Sequence, residues 1–230
     1  MTLSRWQAQG NVYLITEDPL DAPAVPNLVG NADGILQVLA RTANTVDILI
    51  WNPDGSLAEM SGNGTRIAAR WLAAQTGAKL VTVTVGPRSV PARMLPSGLV
   101  EQEMGEVHVG PEEEIDGIRF VPVDVGNPHA VVEDDPAELD EIGPFLETHP
   151  RFPNRTNVQV VRRIDDATIE ARVWERGVGE TGASGSSAVA IVAALGGGSR
   201  TVRFPGGSLH VSIKNGRAVL TGPAEPVSSG

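Results

Sequence analysis

The sequence contains one pattern twice, and this duplication constrains the fold more than any other feature. A strand-like apolar run ends at Trp51 in the first copy and at Trp174 in the second. Ten residues after each tryptophan comes a Ser-Gly pair, which begins at Ser61 and at Ser184. Other anchors recur in the same order at offsets of 116 to 123 residues, among them Gly10-Asn11 with Gly126-Asn127 and Ser61-Gly62 with Ser184-Gly185.

Each Ser-Gly pair leads into an apolar segment that we predict to be helical. The first helix is expected over roughly 65–76, ending at Gly77, and the second over roughly 187–195, ending at Gly196. The second segment is apolar all round, so protein must surround it. A strand pair is predicted after each helix, starting at Thr82-Val83 and Thr201-Val202 and turning at Ser97-Gly98 and Asn215-Gly216.

These repeats predict an α+β protein of two pseudo-symmetric halves, each a curved, mostly antiparallel sheet around a central helix. The predicted N-terminal half covers residues 1–104 and the C-terminal half 105–222, with the tail 223–230 returning to the first half. The alternative is that both copies only share the strand–turn–helix order that is common in α+β proteins.

Composition excludes several classes of function. The net charge is −10 with scattered Arg and Lys, and Glu112 to Glu114 form an acidic run that we expect in a solvated loop, so we predict no nucleic-acid partner. Without cysteine, the chain cannot form disulfides, thiolate nucleophiles or Cys-ligated zinc sites. No long apolar segment and no secretory signal are visible, so we predict no membrane association and a cytoplasmic location. The four histidines lack partners at metal-ligand spacing, so we predict no metal site: His108, His129, His149 and His210.

The two Ser-Gly pairs indicate a shared ligand site. A helix N-terminus offers free backbone N–H groups and a positive dipole end, which bind carboxylates. If a pseudo-twofold axis relates the halves, the two ends meet at one cleft, and Ser61 and Ser184 face a ligand from opposite sides. That geometry suits inversion of a stereocentre, in which one group removes the Cα proton and the other delivers a proton to the opposite face. For either serine alone, a plain helix N-cap is the simpler interpretation.

At these residues the chain resembles the diaminopimelate epimerases, over nearly its whole length. Each motif alone is weak, but their order is specific. The motifs are Gln9-Gly10-Asn11, Ala32-Asp33-Gly34, Trp51-Asn52-Pro53-Asp54-Gly55-Ser56, Met60-Ser61-Gly62-Asn63-Gly64-Thr65-Arg66, Gly126-Asn127-Pro128-His129, Asn157, Glu175-Arg176-Gly177-Val178-Gly179-Glu180-Thr181, Ala183-Ser184-Gly185-Ser186, Pro205-Gly206-Gly207 and Thr221-Gly222-Pro223-Ala224.

The resemblance implies a cofactor-free, two-base epimerisation of LL- and meso-diaminopimelate, a small-molecule substrate on the route to lysine and peptidoglycan. It also implies a homodimer, although the tail lacks the aromatic residue that we expect at a dimer contact. The family's catalytic positions match Ser61 and Ser184, and His129 and Glu175 match positions that tune this pair. The positions that hold the substrate match Asn11, Asn52, Asn127, Asn157, Glu175 and Arg176, and those whose backbone holds its reacting carboxylate match Gly62, Asn63, Gly185 and Ser186.

The chain departs from the family at its two catalytic cysteines, which are replaced by Ser61 and Ser184. A thiol has a pKa near 8.5, whereas an alcohol is a far weaker acid, so the thiol is better matched to proton transfer near neutral pH. Three interpretations remain: an epimerase that uses hydroxyls, an amino-acid-binding relative without turnover, or an engineered Cys-to-Ser variant. Of the other enzymes with this duplicated fold, phenazine-type isomerases and proline racemases fit the second-half motifs less well.

Overall fold

The computed structural model describes residues 1–227, and the chain forms two compact units. The first unit contains Met1–Glu103 and the segment from Thr221 onward, whereas the second contains Met104–Leu220. Residues 228–230, the end of the tail in the sequence-based prediction, lie outside the described residues. The chain passes from the first unit to the second within strand β8 (Val100–Glu106) and returns within β18 (Arg217–Gly222).

The first unit is a mainly antiparallel sheet that surrounds one long helix. Antiparallel pairs join β1 to β2, β3 to β4, β4 to β5, β6 to β7, β7 to β8 and β1 to β19, while β2–β3 and β4–β6 are parallel. The elements besides β8 are β1 (Ser4–Ala8), β2 (Asn11–Thr16), α1 (Val25–Leu28), β3 (Gly34–Arg41), β4 (Thr45–Trp51), β5 (Leu57–Ala58), α2 (Gly62–Thr76), β6 (Leu80–Val85), β7 (Arg88–Met94) and β19 (Glu225–Pro226).

The second unit repeats this arrangement. Antiparallel pairs join β9 and β10 to β11, β11 to β12, β13 to β14, β14 to β15 and β16 to β17, while β12–β13 and β14–β16 are parallel. The elements besides β18 are β9 (His108–Val109), β10 (Glu113–Ile115), β11 (Ile118–Asp124), β12 (Pro128–Glu133), α3 (Leu139–Thr148), β13 (Asn157–Arg163), β14 (Thr168–Glu175), β15 (Gly179–Thr181), α4 (Gly185–Ala194), β16 (Gly198–Phe204) and β17 (Gly207–Lys214).

The pairing order is duplicated strand by strand. The parallel pairs β2–β3 and β4–β6 recur as β12–β13 and β14–β16, and the hairpin β6–β7 recurs as β16–β17. Helix α2 follows β5 as α4 follows β15. The predicted α+β class, with a mostly antiparallel sheet around a central helix in each half, is therefore confirmed.

Both central helices begin earlier than predicted. Helix α2 starts at Gly62 rather than near 65, and α4 starts at Gly185 rather than near 187. Glycine and serine are poor helix formers, so intrinsic propensity underestimates these first turns. Tertiary packing supplies the missing stability, because the apolar side chains of each helix lie in the core of its unit, with Ile67 and Leu72 in one and Val189 and Ile191 in the other fully buried.

Positive φ angles mark the turns. Asn215 and Gly216 have φ values of 51° and 71°, the pair of left-handed residues that a type I′ hairpin requires. Asp116 and Gly117, at 50° and 86°, make a second such turn between β10 and β11. The prediction of a loop over residues 112–114 is consequently wrong, because this turn places Glu113 and Glu114 in β10.

Among residues 1–227, no helix is both long enough and apolar enough to cross a membrane.

Because the two central helices are capped differently, we expect the same substitution to lower stability by different amounts. Ser61 caps α2, since its Oγ accepts a hydrogen bond from Gly64 N at 2.9 Å, whereas Ser184 makes no cap hydrogen bond to α4. Ser61→Ala should therefore lower the free energy of unfolding by about 1 kcal/mol. Ser184→Ala should lower it less. Urea unfolding of both variants tests this difference, and equal losses would contradict the asymmetry of the caps.

Candidate active site

In the first unit, the hydroxyl of Ser61 accepts two hydrogen bonds. Gly64 N donates to its Oγ at 2.9 Å, and the hydroxyl of Tyr13 donates to the same atom at 3.1 Å. A Cβ on Gly64 would lie 3.2 Å from both Cβ and Oγ of Ser61, so a side chain there would displace Ser61 by a few tenths of an ångström. A close approach of the helix backbone thus holds the Ser61 oxygen at the N-terminus of α2.

A buried positive charge lies on the first turn of the same helix. The guanidinium of Arg66 donates to Asn63 Oδ1 at 2.7 Å and to the carbonyl oxygen of Pro223 at 2.9 Å. No carboxylate of the described residues lies within ion-pair distance of it. Burial lowers the pKa of Arg66 to about 10, so the side chain stays charged near neutral pH. This uncompensated charge adds to the positive dipole end of α2.

The other predicted residues of the first unit lie on flanking segments. Asn11 opens β2, and the half-buried Asn52 follows β4 in a turn where its Nδ2 donates to Ser56 Oγ at 2.9 Å. Gly62 and Asn63 are buried in the first turn of α2. The side-chain oxygen of Asn63 accepts a hydrogen bond from the guanidinium of Arg66 at 2.7 Å.

In the second unit, Ser184 lies at the equivalent position before α4. Its backbone angles, φ −137° and ψ 130°, are close to the φ −141° and ψ 118° of Ser61. The surroundings of the two hydroxyls differ, however. The side chain of Ser184 is buried, and its Oγ lies 3.4 Å from Oγ of Ser186. Gly185, the first residue of α4, is buried beside it.

A chain of hydrogen bonds runs from Asn127 through His129 to the first turn of α4. His129 Nε2 lies 3.1 Å from Asn127 Oδ1, and Gln159 Nε2 lies 3.0 Å from both His129 Nδ1 and Ser187 Oγ. An amide nitrogen can only donate, so His129 Nδ1 accepts and the ring proton is on Nε2. Burial and, to a smaller extent, the positive charge of Arg176 together lower the pKa of His129 from 6.5 to about 3, so this imidazole is neutral.

Asn157 organises the turn that carries Glu175 and Arg176. Its Nδ2 donates to the carbonyl oxygen of Pro128 at 2.9 Å, and its Oδ1 accepts from the backbone N of Arg176 at 3.1 Å. The carboxylate of Glu147 supports the other side of the turn by accepting from Gly177 N at 2.7 Å. These contacts fix the backbone from which the side chains of Glu175 and Arg176 project.

The side chains of Glu175 and Arg176 make different contacts. Glu175 Oε1 accepts a hydrogen bond from Thr181 Oγ1 at 2.5 Å. The guanidinium of Arg176 donates to the carbonyl oxygen of Asn154 at 3.3 Å, and it forms no ion pair with any carboxylate in residues 1–227. Arg176 therefore keeps its capacity for a bidentate bond to a carboxylate.

In the second unit, hydrogen bonds join Asn127 and His129 to the first turn of α4, and Asn157 to the turn of Glu175 and Arg176. In the first unit, Gly62 and Asn63 begin α2, whereas Asn11 and Asn52 lie on separate segments.

Sequence reasoning missed Tyr13, Glu147 and Gln159, which contact Ser61, the backbone of Gly177 and His129 from 30 or more positions away in the chain. It also assigned no role to Arg66, although this residue contacts Asn63 on the same helix. The only signal for Tyr13 was its uniqueness as the single tyrosine. No group of three or more His, Asp or Glu suited to a metal ion occurs among the described residues.

Comparison with known proteins identifies relatives that match most of the chain. A family model described as diaminopimelate epimerase matches residues 121–227. The diaminopimelate epimerase of Pelotomaculum thermopropionicum is 37% identical, over 86% of this chain and 82% of its own length. That of Methanococcus maripaludis is 33% identical over 100% of this chain and 99% of its own.

Solved structures share the fold at much lower identity. A predicted epimerase from Pseudomonas aeruginosa has a TM-score of 0.74 and 16% identity, covering 98% of this chain and 96% of that one. A hydroxyproline epimerase from Agrobacterium vitis has a TM-score of 0.70 and 15% identity, covering 98% and 89%. These likenesses show the fold alone. The sequence relatives go further, because their identities extend over most of both chains, and they show that this protein belongs to the diaminopimelate epimerase family of isomerases.

Proposed function

We propose that the protein interconverts LL- and meso-diaminopimelate by two-base inversion at one α-carbon, without a cofactor. The observation that carries this proposal is the repeated serine that precedes each buried central helix with the same extended backbone conformation. Inversion needs one proton-transfer group on each face of the α-carbon, and a duplicated element supplies two. The family resemblance further supports a cytoplasmic homodimer.

Ser61 and Ser184 are the proposed proton-transfer groups. One hydroxyl oxygen takes the α-proton while the other returns a proton to the opposite face. The backbone N–H groups of Gly62-Asn63 and Gly185-Ser186 are proposed to bind the reacting carboxylate, since the first N–H groups of a helix have no partner within it. The negative charge that develops on the substrate is stabilised by the same helix ends.

The remaining polar residues are proposed to hold the rest of the substrate. Diaminopimelate carries two carboxylates and two ammonium groups. Arg176 has the geometry for a carboxylate, and Glu175 can accept hydrogen bonds from ammonium. The amides assigned to the substrate are those of Asn11, Asn52, Asn127 and Asn157.

His129 is proposed to act as a neutral hydrogen-bonding group that orients Asn127. Its depressed pKa makes it unsuitable as a cation near neutral pH, and its Nε2 proton points to Asn127 Oδ1. The residue therefore tunes the second half of the site by fixing an amide rather than by exchanging protons with the substrate.

A second candidate function is amino-acid binding without turnover. The observation that favours it is the contact of Ser184. Its Oγ lies within hydrogen-bond distance of the Ser186 hydroxyl, and this hydroxyl is no stronger a base than Ser184 itself. Such a protein would bind diaminopimelate and exchange no α-proton.

Arg176→Ala should weaken binding of diaminopimelate by about 2–5 kcal/mol, because a charged pair with the substrate carboxylate is lost. Isothermal calorimetry measures the affinity. Arg151→Ala is the matched control, since Arg151 pairs with Glu113 and has no assigned role in the site. Equal affinities for both variants would contradict the role of Arg176.

Replacing both serines with cysteine should raise the rate of α-proton exchange at least about tenfold, because a well-matched acid–base group contributes about 10²–10⁴-fold. Each single substitution should raise it less, since inversion needs both groups. The measurement is loss of the α-proton NMR signal of LL-diaminopimelate in D₂O. Ser89→Cys, on an exposed strand position, controls for an added thiol. A double variant that binds substrate yet exchanges no proton would favour the binding function instead.

The neutral state of His129 predicts a pH-dependent stability. Its pKa is about 3 when folded and 6.5 without perturbation, so the unfolded chain binds the proton first as the pH falls. The contribution of His129 to the free energy of unfolding is fully present above pH 6.5 and is lost as the pH falls toward 3. The free energy of unfolding then changes by up to about 1.4 kcal/mol per pH unit. Urea unfolding of the protein and of His129→Gln between pH 4 and 7.5 tests this. Parallel curves for the two proteins would show that the imidazole is not buried in its neutral form.

A further inference from the structure

We propose that Tyr13 is a positioning residue for Ser61, and that its hydroxyl and the Gly64 N–H together stabilise the deprotonated Ser61 oxygen. The inference rests on the proposed function, in which Ser61 exchanges a proton with the α-carbon. It addresses the problem that the cysteine-to-serine replacement creates, namely that an alcohol gives up its proton far less readily than a thiol.

The contacts at Ser61 match those that stabilise an oxyanion. Two donors approach its Oγ, Tyr13 Oη at 3.1 Å and Gly64 N at 2.9 Å. A hydroxyl oxygen has two lone pairs, so both are used and the serine proton is directed elsewhere. Hydrogen bonds donated to the charged form of a group favour that form. The dipole of α2 and the buried charge of Arg66 act in the same direction.

Packing holds the ring of Tyr13 in place. Tyr13 pairs with Gly34 across the parallel strands β2 and β3, and the side chain is buried. A Cβ on Gly34 would lie 2.8 Å from the Tyr13 ring and 2.5 Å from the carbonyl oxygen of Trp51. The ring therefore rests against the bare backbone of Gly34, which orients the hydroxyl toward Ser61.

The arrangement is specific to one of the two serines. Ser184 has no cap hydrogen bond, and its Oγ is 3.4 Å from Ser186 Oγ. In the proposed step the Ser61 proton leaves to water, and the resulting oxyanion takes the α-proton while the carbon keeps the electron pair. Tyr13 and Gly64 keep their protons throughout, so Tyr13 acts through Ser61 and does not itself react.

A thiol at position 61 measures this environment directly. The chain has no cysteine, so Ser61→Cys carries a single thiol whose pKa follows from the pH dependence of the ¹³Cβ shift of labelled cysteine. Adding Tyr13→Phe keeps the ring and removes the donor, and it should raise that thiol pKa by about one unit. The same addition to Ser184→Cys is the matched control and should leave the thiol pKa unchanged. No rise in the Ser61→Cys protein, or equal rises in both, would overturn the proposal.

A second measurement does not require loss of the tyrosine hydroxyl, in case Tyr13→Phe fails to fold. Tyr13 is the only tyrosine, so tyrosine labelled with ¹³C at Cζ reports on this position alone and leaves the acidity of its hydroxyl unchanged. Its ¹³Cζ signal in Ser61→Cys should show a step at the thiol pKa that is missing in Ser61→Ala, and absence of the step in Ser61→Cys would refute the contact. Exchange of the α-proton is assayed separately. If no variant exchanges it but the thiol pKa depends on Tyr13, the proposed function fails and the role of Tyr13 stands.

Discussion

The first backbone N–H groups of α2 and α4 have no partners within their helices, and both helices begin at buried glycines. Buried donors must be satisfied by a side chain, by water or by a ligand. At α2 the hydroxyl of Ser61 satisfies the N–H of Gly64, whereas Ser184 caps no donor of α4. The need to satisfy these groups explains why small polar residues surround both helix starts and why an anionic ligand suits them.

Local patterns predicted much of the fold, and long-range contacts account for what they missed. The strand ends at Trp51 and near Trp174, the two central helices and the Asn215-Gly216 turn follow from short-range signals. The true helix starts do not, because tertiary packing overrides the low helix propensity of glycine and serine. The acidic run at 112–114 has low strand propensity, but the Asp116-Gly117 turn pairs residues 113–115 with β11 and makes them a strand. At the site, the serines could be predicted from their repetition, whereas Tyr13 lies 48 residues from Ser61 and only folding brings them together.

The duplicated sequence produces two chemically different halves. In the first, two donors contact one hydroxyl and a guanidinium is buried on the same helix, an environment that favours negative charge on oxygen. In the second, a neutral imidazole and an amide lead to the helix start. Pseudo-symmetry of the backbone therefore does not imply equal acidity of the two serines. The difference in acidity between Ser61 and Ser184 depends on neighbouring residues that are not part of the repeated motifs.

The first unit is discontinuous in sequence, and this affects the order in which the protein can assemble on the ribosome. Its strand β1 pairs with β19, Gln7 bonds to Glu225, and Arg66 donates to the carbonyl oxygen of Pro223. Residues 104–220 lie between these partners and form a unit of their own. During synthesis all residues of the second unit emerge before Pro223, so the Arg66 guanidinium lacks its Pro223 acceptor until the second unit has been translated. The helix start that holds Ser61 is thus completed after the one that holds Ser184, although it is translated first.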